Sequence, residues 1–186
     1  MSDVQKTIWQ GKLINTMEFL TLEEKDNRFV AKGNILGVVK EKPIKIIYEV
    51  TTDKNWNFCT VVIKQQSEFE LDLFLKKDSS NQWFDRNGNH LTHYDGCTDV
   101  DISLTPFTNT LPINKLKLAK DESKKLMVLY VDLPAFEIKP FVQCYTNLGN
   151  NRYKYENIST GFTSIIQVDD DGFVINYPGI WERIYP

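Results

Sequence analysis

The stretch GFTSIIQVDDDGFVINY, residues 161–177, decides the fold class of this chain. Two runs rich in β-branched and aromatic residues, GFTSIIQV and FVINY, flank Asp170, Asp171 and Gly172. Asp and Gly favour tight turns, because Gly tolerates a left-handed backbone and the Asp side chain hydrogen-bonds to nearby backbone groups. Two strand-like runs joined by such a short turn predict an antiparallel hairpin.

The same rhythm of strand-like run and turn recurs along most of the chain, about every ten residues. The predicted strands cover residues 17–23, 29–39, 44–51, 58–64, 68–76, 82–85, 98–104, 126–133, 138–145, 152–156, 162–168 and 173–177. Helix signals are weak, and no repeat or linker divides the chain. Residues 1–186 are therefore expected to form a single all-β domain with little helix. A sheet of about 12 strands normally curls or splits, which predicts a curved antiparallel sheet with a barrel-like or two-layer architecture.

Gly33 and Gly37 lie inside one of the long predicted strands. Glycine within a strand is typical of a bend, a bulge or a close approach of another part of the chain. Each of these alternatives would help a sheet to curve.

The segment GCTDVDISLTPFTNTLPINKLKL, residues 96–118, concentrates polar side chains next to a predicted strand. Asp99 and Asp101 alternate with Val100 and Ile102, so both acids fall on one face of the strand. Pro106 and Pro112 disfavour helix in the residues before them, and the segment is predicted to leave the strand as a kinked chain rather than as a helix. The acids, with Thr108 and Asn109, could hydrogen-bond a polyhydroxyl group.

Aromatic residues, of which there are 11 Phe, 8 Tyr and 4 Trp, include several outside simple core alternation. Trp9 and Trp181 stand near the two ends of the chain. Such rings either cap the ends of a barrel or line a cavity and present a flat face to a sugar or an acyl chain. Residues 69–75 alternate apolar and polar side chains, a pattern that fits both an ordinary core and a lipid-lined cavity.

The two aspartates also raise the question of catalysis. Residues i and i+2 on a strand lie about 7 Å apart, so their carboxyl groups could span a glycosidic bond. An acid pair on a strand is also found as a solvated edge or as an anchor for neighbouring loops. No nucleophile elbow, phosphate-binding loop or dinucleotide motif occurs, and no catalytic, metal or cofactor residue is predicted.

Composition limits the classes of partner. The net charge of −3 is spread along the chain, and the absence of a basic region argues against nucleic acid binding. The three cysteines, Cys59, Cys97 and Cys144, lack metal-ligand spacing and are expected to be buried, reduced thiols. Without an apolar leader or a run of about 18 apolar residues, no transmembrane segment and a cytoplasmic location are expected.

Three segments resemble a bacterial family of glycolipid-binding proteins: residues 96–118, YTNLGNNRYKYEN at 145–157, and GFTSIIQVDDDGFVINYPGIWERI at 161–184. The N-terminal half agrees more loosely, through Trp9, residues 33–50 and Trp56. The resemblance implies one curved, barrel-like β domain and no established catalytic residue. By position, it carries over the following motif residues: Cys97, Asp99, Asp101, Thr105, Pro106, Thr108, Asn109, Thr110, Leu111, Pro112, Tyr145, Tyr153, Tyr155, Glu156, Gly161, Phe162, Asp171, Gly172, Tyr177, Pro178, Gly179 and Trp181.

The leading hypothesis is a non-enzymatic protein that holds a glycolipid or fatty-acyl amphiphile in a cavity of its curved sheet. The predicted ligand-binding residues are Asp99, Asp101, Thr108, Asn109, Tyr145, Trp9 and Trp181. The alternatives are a hydrolase of glycosides or acyl esters that uses Asp99 and Asp101, and a non-catalytic interaction domain in which the acids hold the 105–112 segment in place. The oligomeric state is not predicted.

Overall fold

A computed structural model describes residues 4–66 and 71–186, and within them fourteen strands form one sheet. The strands are β1 Gln5–Gly11, β2 Asn15–Lys25, β3 Arg28–Val39, β4 Lys42–Asp53, β5 Phe58–Gln65, β6 Leu71–Lys77, β7 Trp83–Phe84, β8 Asp99–Ile102, β9 Ser123–Asp132, β10 Glu137–Gly149, β11 Arg152–Asn157, β12 Phe162–Val168, β13 Val174–Tyr177 and β14 Trp181–Tyr185. The all-β prediction with little helix is confirmed. Part of the strand predicted at 68–76 lies outside the described residues.

The order of strands across the sheet is β7-β6-β5-β4-β3-β2-β1-β14-β13-β12-β11-β10-β9-β8. Consecutive strands from β1 to β7 and from β9 to β14 are therefore neighbours in the sheet, and the pairing of β1 with β14 joins the two halves. Neither of these two strands is among those predicted from the sequence.

Described neighbours are antiparallel except for β8 and β9, which pair in parallel with Asp101 opposite Tyr130. The predicted antiparallel sheet is therefore confirmed apart from this parallel pair at its edge. A parallel pair needs a crossover connection, and residues 103–122 supply one.

The sheet curves but does not close into a barrel through strand pairing between its described edges, β7 and β8. The edges nevertheless meet through the chain that connects them. Trp83 Nε1 donates to the Cys97 carbonyl at 2.9 Å, and Gly96 N donates to the Asn81 carbonyl at 3.1 Å. The barrel-like prediction thus holds for the curvature and is wrong for full closure.

The buried face of the sheet follows the two-residue period of the strands. On β2, for example, Thr16, Glu18, Leu20 and Leu22 are buried while their neighbours are more exposed. Buried residues from both halves of the sheet form one hydrophobic cluster that includes Trp9, Ile46, Val100 and Val131 and fills much of the interior.

The segment after β8 forms a helical insert, residues 105–116, and the prediction of a kinked strand exit is wrong. A 3₁₀ turn at Phe107–Asn109 runs directly into helix α1, Thr110–Leu116. Pro112 is the third residue of α1, where a backbone N–H has no helical partner, so proline causes no loss there. The helix ends at Leu116, and the next residue, Lys117, caps it with a left-handed backbone and a φ of 45°. Phe107, Leu111 and Ile113 are buried and hold the insert against the core.

Among the described residues, no helix is both long and apolar enough to cross a membrane. All three cysteines are free; Cys97 and Cys144 are buried as expected, whereas Cys59 is partly exposed.

Candidate functional site

The two aspartates of β8 hold the helical insert on the sheet. Asp99 is 1% exposed and forms an ion pair with Lys115 of α1, while Thr98 Oγ1 donates to the same carboxylate at 2.8 Å. Its other oxygen, Oδ1, is buried without a hydrogen-bond partner among the described residues. Asp99 therefore anchors the C-terminal half of the insert.

Asp101 is engaged by two neutral donors. Thr108 Oγ1 donates to Oδ1 at 3.0 Å, and Gln143 Nε2 of β10 donates to Oδ2 at 2.6 Å. Burial raises the pKa of Asp101, and the two hydrogen bonds offset that rise only in part. The carboxyl group thus lies between the insert and the sheet, with no ion-pair partner among the described residues.

Asp101 also lines a cavity of about 300 Å³, which we call the aromatic pocket. Six aromatic side chains form its walls: Tyr130, Phe141, Tyr155, Phe162, Tyr177 and Trp181. The polar side chains of the lining are neutral or acidic and belong to Asp101, Ser103, Thr105, Asn109, Asn157 and Thr160. Leu13, Ile102 and Ile180 complete the lining. Aromatic faces beside a few placed polar groups are typical of small-molecule sites.

Packing between neighbours fixes the orientation of the aromatic walls. Tyr130 and Phe141 stack with ring centroids 4.8 Å apart, and Tyr155 meets Tyr177 edge-on at 6.1 Å. Burial, followed by the negative charge of Asp101, raises the pKa of Tyr155 and of Tyr177. Both hydroxyls therefore remain protonated at neutral pH and can donate hydrogen bonds.

Asn109 is oriented by a buried pair of hydrogen bonds. Tyr145 donates from its hydroxyl to Asn109 Oδ1 at 2.8 Å, and Asn109 Nδ2 donates to the Pro106 carbonyl at 3.1 Å. Burial raises the pKa of Tyr145 well above the usual value, so this hydroxyl also stays neutral. The amide is thus held in one position at the pocket wall.

The seven predicted ligand-binding residues take three different positions. Asp101, Asn109 and Trp181 line the aromatic pocket. Thr108 and Tyr145 stand behind it and hold Asp101 and Asn109. Asp99 and Trp9 are not part of its lining.

Trp9 is a core residue. It is fully buried, it stacks on Phe173 at 6.3 Å, and its Nε1 donates to the Val174 carbonyl at 2.7 Å. The ring therefore packs inside the fold and not at the aromatic pocket.

Sequence reasoning missed several pocket residues, and Tyr130 and Phe141 are the clearest cases. Both lie in long apolar strands where they read as ordinary core. The register that sets Tyr130 opposite Asp101 follows from the parallel pairing of β8 and β9, which the sequence did not predict. Tyr155, Phe162 and Tyr177 were available as motif residues of the resemblance, without an assigned role.

The carboxyl pair does not have the arrangement expected of a shared acid and base. Asp99 faces Lys115, outside the pocket lining, while Asp101 lies inside it. A glycosidase pair must reach one substrate bond from two sides. The described residues also contain no group of three or more His, Cys, Asp or Glu side chains able to hold a metal ion.

Two larger hollows lie elsewhere on the described surface. One, of about 560 Å³, is lined by Lys77, Lys115 and polar residues of the neighbouring turns. Another, of about 900 Å³, lies beside Lys42 and Gln66. Neither contains the aromatic walls that characterise the pocket at Asp101.

Comparison with known proteins gives a family for the chain. No curated protein matches it. A crystal structure of a DUF1089 family protein from Pseudomonas aeruginosa is similar with a TM-score of 0.82 and 33% sequence identity, covering 90% of this chain and 92% of that one. The family model described as "Putative glycolipid-binding" matches residues 6–183. Because that match spans nearly the whole sequence, the chain belongs to this family.

Proposed function

We propose that this protein binds an amphiphile and that the aromatic pocket receives its sugar headgroup. The observation that carries the proposal is the joint placement of Asp101, Asn109 and six aromatic rings around one cavity. Sugars combine hydroxyl groups that hydrogen-bond to carboxylates and amides with flat apolar faces that rest on aromatic rings. The family description points to the same class of ligand.

The size of the pocket limits which part of an amphiphile enters it. A volume of about 300 Å³ is at the small end of the range for ligand sites, which suits a headgroup better than a whole lipid. The acyl chain would leave past the apolar side chains at the rim. Leu13 and Phe162 remain 73% and 42% exposed there, and covering them would contribute favourable apolar burial.

A hydrolytic function has less support from the same geometry. Asp101 is hydrogen-bonded to Thr108 and Gln143, and Asp99 is paired with Lys115. These contacts suit carboxylates that hold the helical insert in place, which is the anchoring role considered for the motif.

Binding can be tested with a pair of substitutions on β12. Phe162 and Ile165 are both exposed apolar residues, but only Phe162 lines the pocket. We expect Phe162→Ala to weaken binding of an alkyl glycoside about tenfold, because a large ring that covers ligand is lost. Ile165→Ala, on the opposite face, should bind as the unmodified protein does.

The measurement is isothermal titration calorimetry with chain-matched octyl glycosides, together with native mass spectrometry of protein purified from cells. A protein that carries no lipid and gives no binding heat with any glycoside would refute the proposal. Equal losses of affinity in Phe162→Ala and Ile165→Ala would show that the ligand does not bind in the aromatic pocket.

A further inference from the structure

The charge distribution of the aromatic pocket bears on which headgroups it admits. Asp101 supplies the one formal charge of the described lining, which contains no lysine, arginine or histidine. The groups that hold this carboxylate, Thr108 and Gln143, are neutral. The negative charge is therefore not cancelled by a cation at the site.

The field of this carboxylate extends across the pocket. Burial, and after it the negative charge of Asp101, raises the pKa of Tyr130, Tyr155 and Tyr177, which line the same cavity. Charges interact more strongly at a partly buried site than in water, because less solvent screens them. A phosphate, sulfate or carboxylate in the cavity would face this field without a compensating cation.

The remaining polar groups match hydroxyls rather than a cation. Ser103, Thr105, Asn109 and Asn157 offer neutral donors and acceptors at the same cavity. Each oxygen of Asp101 already accepts one hydrogen bond and keeps a lone pair free to accept another from a ligand. A polyhydroxyl ring can use several of these neutral groups at once, whereas an ammonium group would use only Asp101 and the aromatic faces.

We propose that the aromatic pocket selects uncharged polyhydroxyl headgroups and that Asp101 excludes anionic ones. This inference rests on the proposed function, since it names the class of headgroup that the same pocket takes. Neutral glycolipids would bind, and phosphorylated, sulfated or acidic amphiphiles would be rejected.

The test compares probes that share one chain and differ in headgroup charge. Octyl glucoside, galactoside and mannoside, octyl sulfate and octyltrimethylammonium are titrated calorimetrically below their critical micelle concentrations at pH 7.5. We expect at least one glycoside to bind and the sulfate to bind about tenfold more weakly or not at all. The trimethylammonium probe should also bind more weakly than the glycoside.

Asp101→Asn removes the charge and keeps the size of the side chain. In this variant the glycoside should bind more weakly, because an acceptor of its hydroxyls is lost, and the sulfate should bind more tightly than it does to the unmodified protein. The preference for glycoside over sulfate should therefore fall below about threefold. Asp26→Asn removes one exposed charge in the turn between β2 and β3, outside the pocket lining, and it should leave the preference unchanged. Thermal unfolding of each variant checks that the fold is kept.

Three results would overturn the inference while leaving amphiphile binding intact: tighter binding of the sulfate, tighter binding of the trimethylammonium probe, or an unchanged preference in folded Asp101→Asn. If Asp101→Asn does not fold, the inference is tested with the unmodified protein alone. The relative affinities of the glycoside, sulfate and trimethylammonium probes then decide it. Failure of every probe to bind would refute the proposed function itself, and the inference with it.

Discussion

At the scale of the residue, Glu18 shows how strongly burial can alter a side chain in this protein. It is 0% exposed on β2, accepts a hydrogen bond from the Tyr48 hydroxyl, and has a second oxygen without a partner among the described residues. Tyr48 is in turn 3.1 Å from Thr105 Oγ1, at the wall of the aromatic pocket. Burial raises the pKa of Glu18 from 4.5 to about 8, and its hydrogen bonds offset this only in part.

This pKa predicts a stability that falls as the pH rises. Below about 4.5, Glu18 is protonated in both folded and unfolded chains. Between that value and about 8, the unfolded chain releases the proton and the folded chain keeps it, so the free energy of unfolding decreases. We expect Glu18→Gln to remove most of this decrease, on the order of a few kcal/mol, in urea unfolding from pH 5 to 8.5. Glu49→Gln, at the neighbour of Tyr48 on the opposite face of β4, is the control and should show the same decrease as the unmodified protein.

Gly33 illustrates a position where an added methyl group has no room. A Cβ at this residue would lie 2.1 Å from Cε1 of Tyr48 on the paired strand β4. The register of β3 and β4 is regular here, so the close approach, rather than a bulge, is the outcome among the sequence-based alternatives.

We expect Gly33→Ala to displace Tyr48 and to lower the free energy of unfolding by about 1–3 kcal/mol. Asn34→Ala, at the next and exposed position of β3, is the control and should change it by less than about 0.5 kcal/mol. Equal unfolding midpoints in urea for the two variants would show that the Tyr48 ring moves aside at no cost.

At the scale of the element, the helical insert depends on contacts that no local pattern announces. Pro106 and Pro112 disfavour a helical backbone at the residues that precede them, so the local sequence alone argues against a helix here. In the structure Pro112 falls in the first turn of α1, where it is tolerated, and the buried side chains of Phe107 and Leu111 stabilise the turn. Tertiary packing thus overrides a weak local preference.

The ion pair of Asp99 and Lys115 gives a direct test of the anchoring role. Lys115→Met would leave Asp99 as a buried charge without its cation, and we expect the free energy of unfolding to fall by about 3–5 kcal/mol. The double variant Asp99→Leu with Lys115→Met should recover much of this loss. Lys120→Met, at an exposed position beyond the helix, is the matched control. A small effect of Lys115→Met in urea unfolding would contradict the anchor.

At the scale of the whole molecule, two sets of contacts hold the curved sheet together. The first is the pairing of β1 with β14, which unites the N-terminal and C-terminal halves. The second is the contact between the edges of the sheet, where Trp83 donates to the Cys97 carbonyl. The curvature that brings these edges together also brings β8 and the insert beside the strands that line the aromatic pocket.

Trp83→Phe should weaken the contact between the two edges of the sheet. The replacement keeps an aromatic ring against Phe58, whose centroid lies 5.1 Å away, but it leaves the buried Cys97 carbonyl without this donor. We expect a loss of about 1–3 kcal/mol in urea unfolding. Trp56→Phe, at a partly exposed ring stacked on Phe29, should cost less. The reverse order of the two losses would contradict the edge contact.

Alternation of side chains in the sequence determined much of this protein. It predicted an all-β chain, most of the strands, the hairpin at residues 168–174 and the strand that carries Asp99 and Asp101, because residues two apart on a strand share a face wherever the strand lies. The polar and aromatic residues of the sequence pointed to three of the pocket residues, Asp101, Asn109 and Trp181, and the motif resemblance led to the family.

Only the tertiary structure decided how these parts meet. The pairing of β1 with β14, the parallel register that sets Tyr130 opposite Asp101, and the helical insert each depend on partners far away in the chain. The same holds for the roles of the two aspartates, which look equivalent in sequence and face Lys115 and the aromatic pocket respectively. Non-local packing selects among structures that local preferences leave close in energy, so these features appear only when the sheet has curved and assembled.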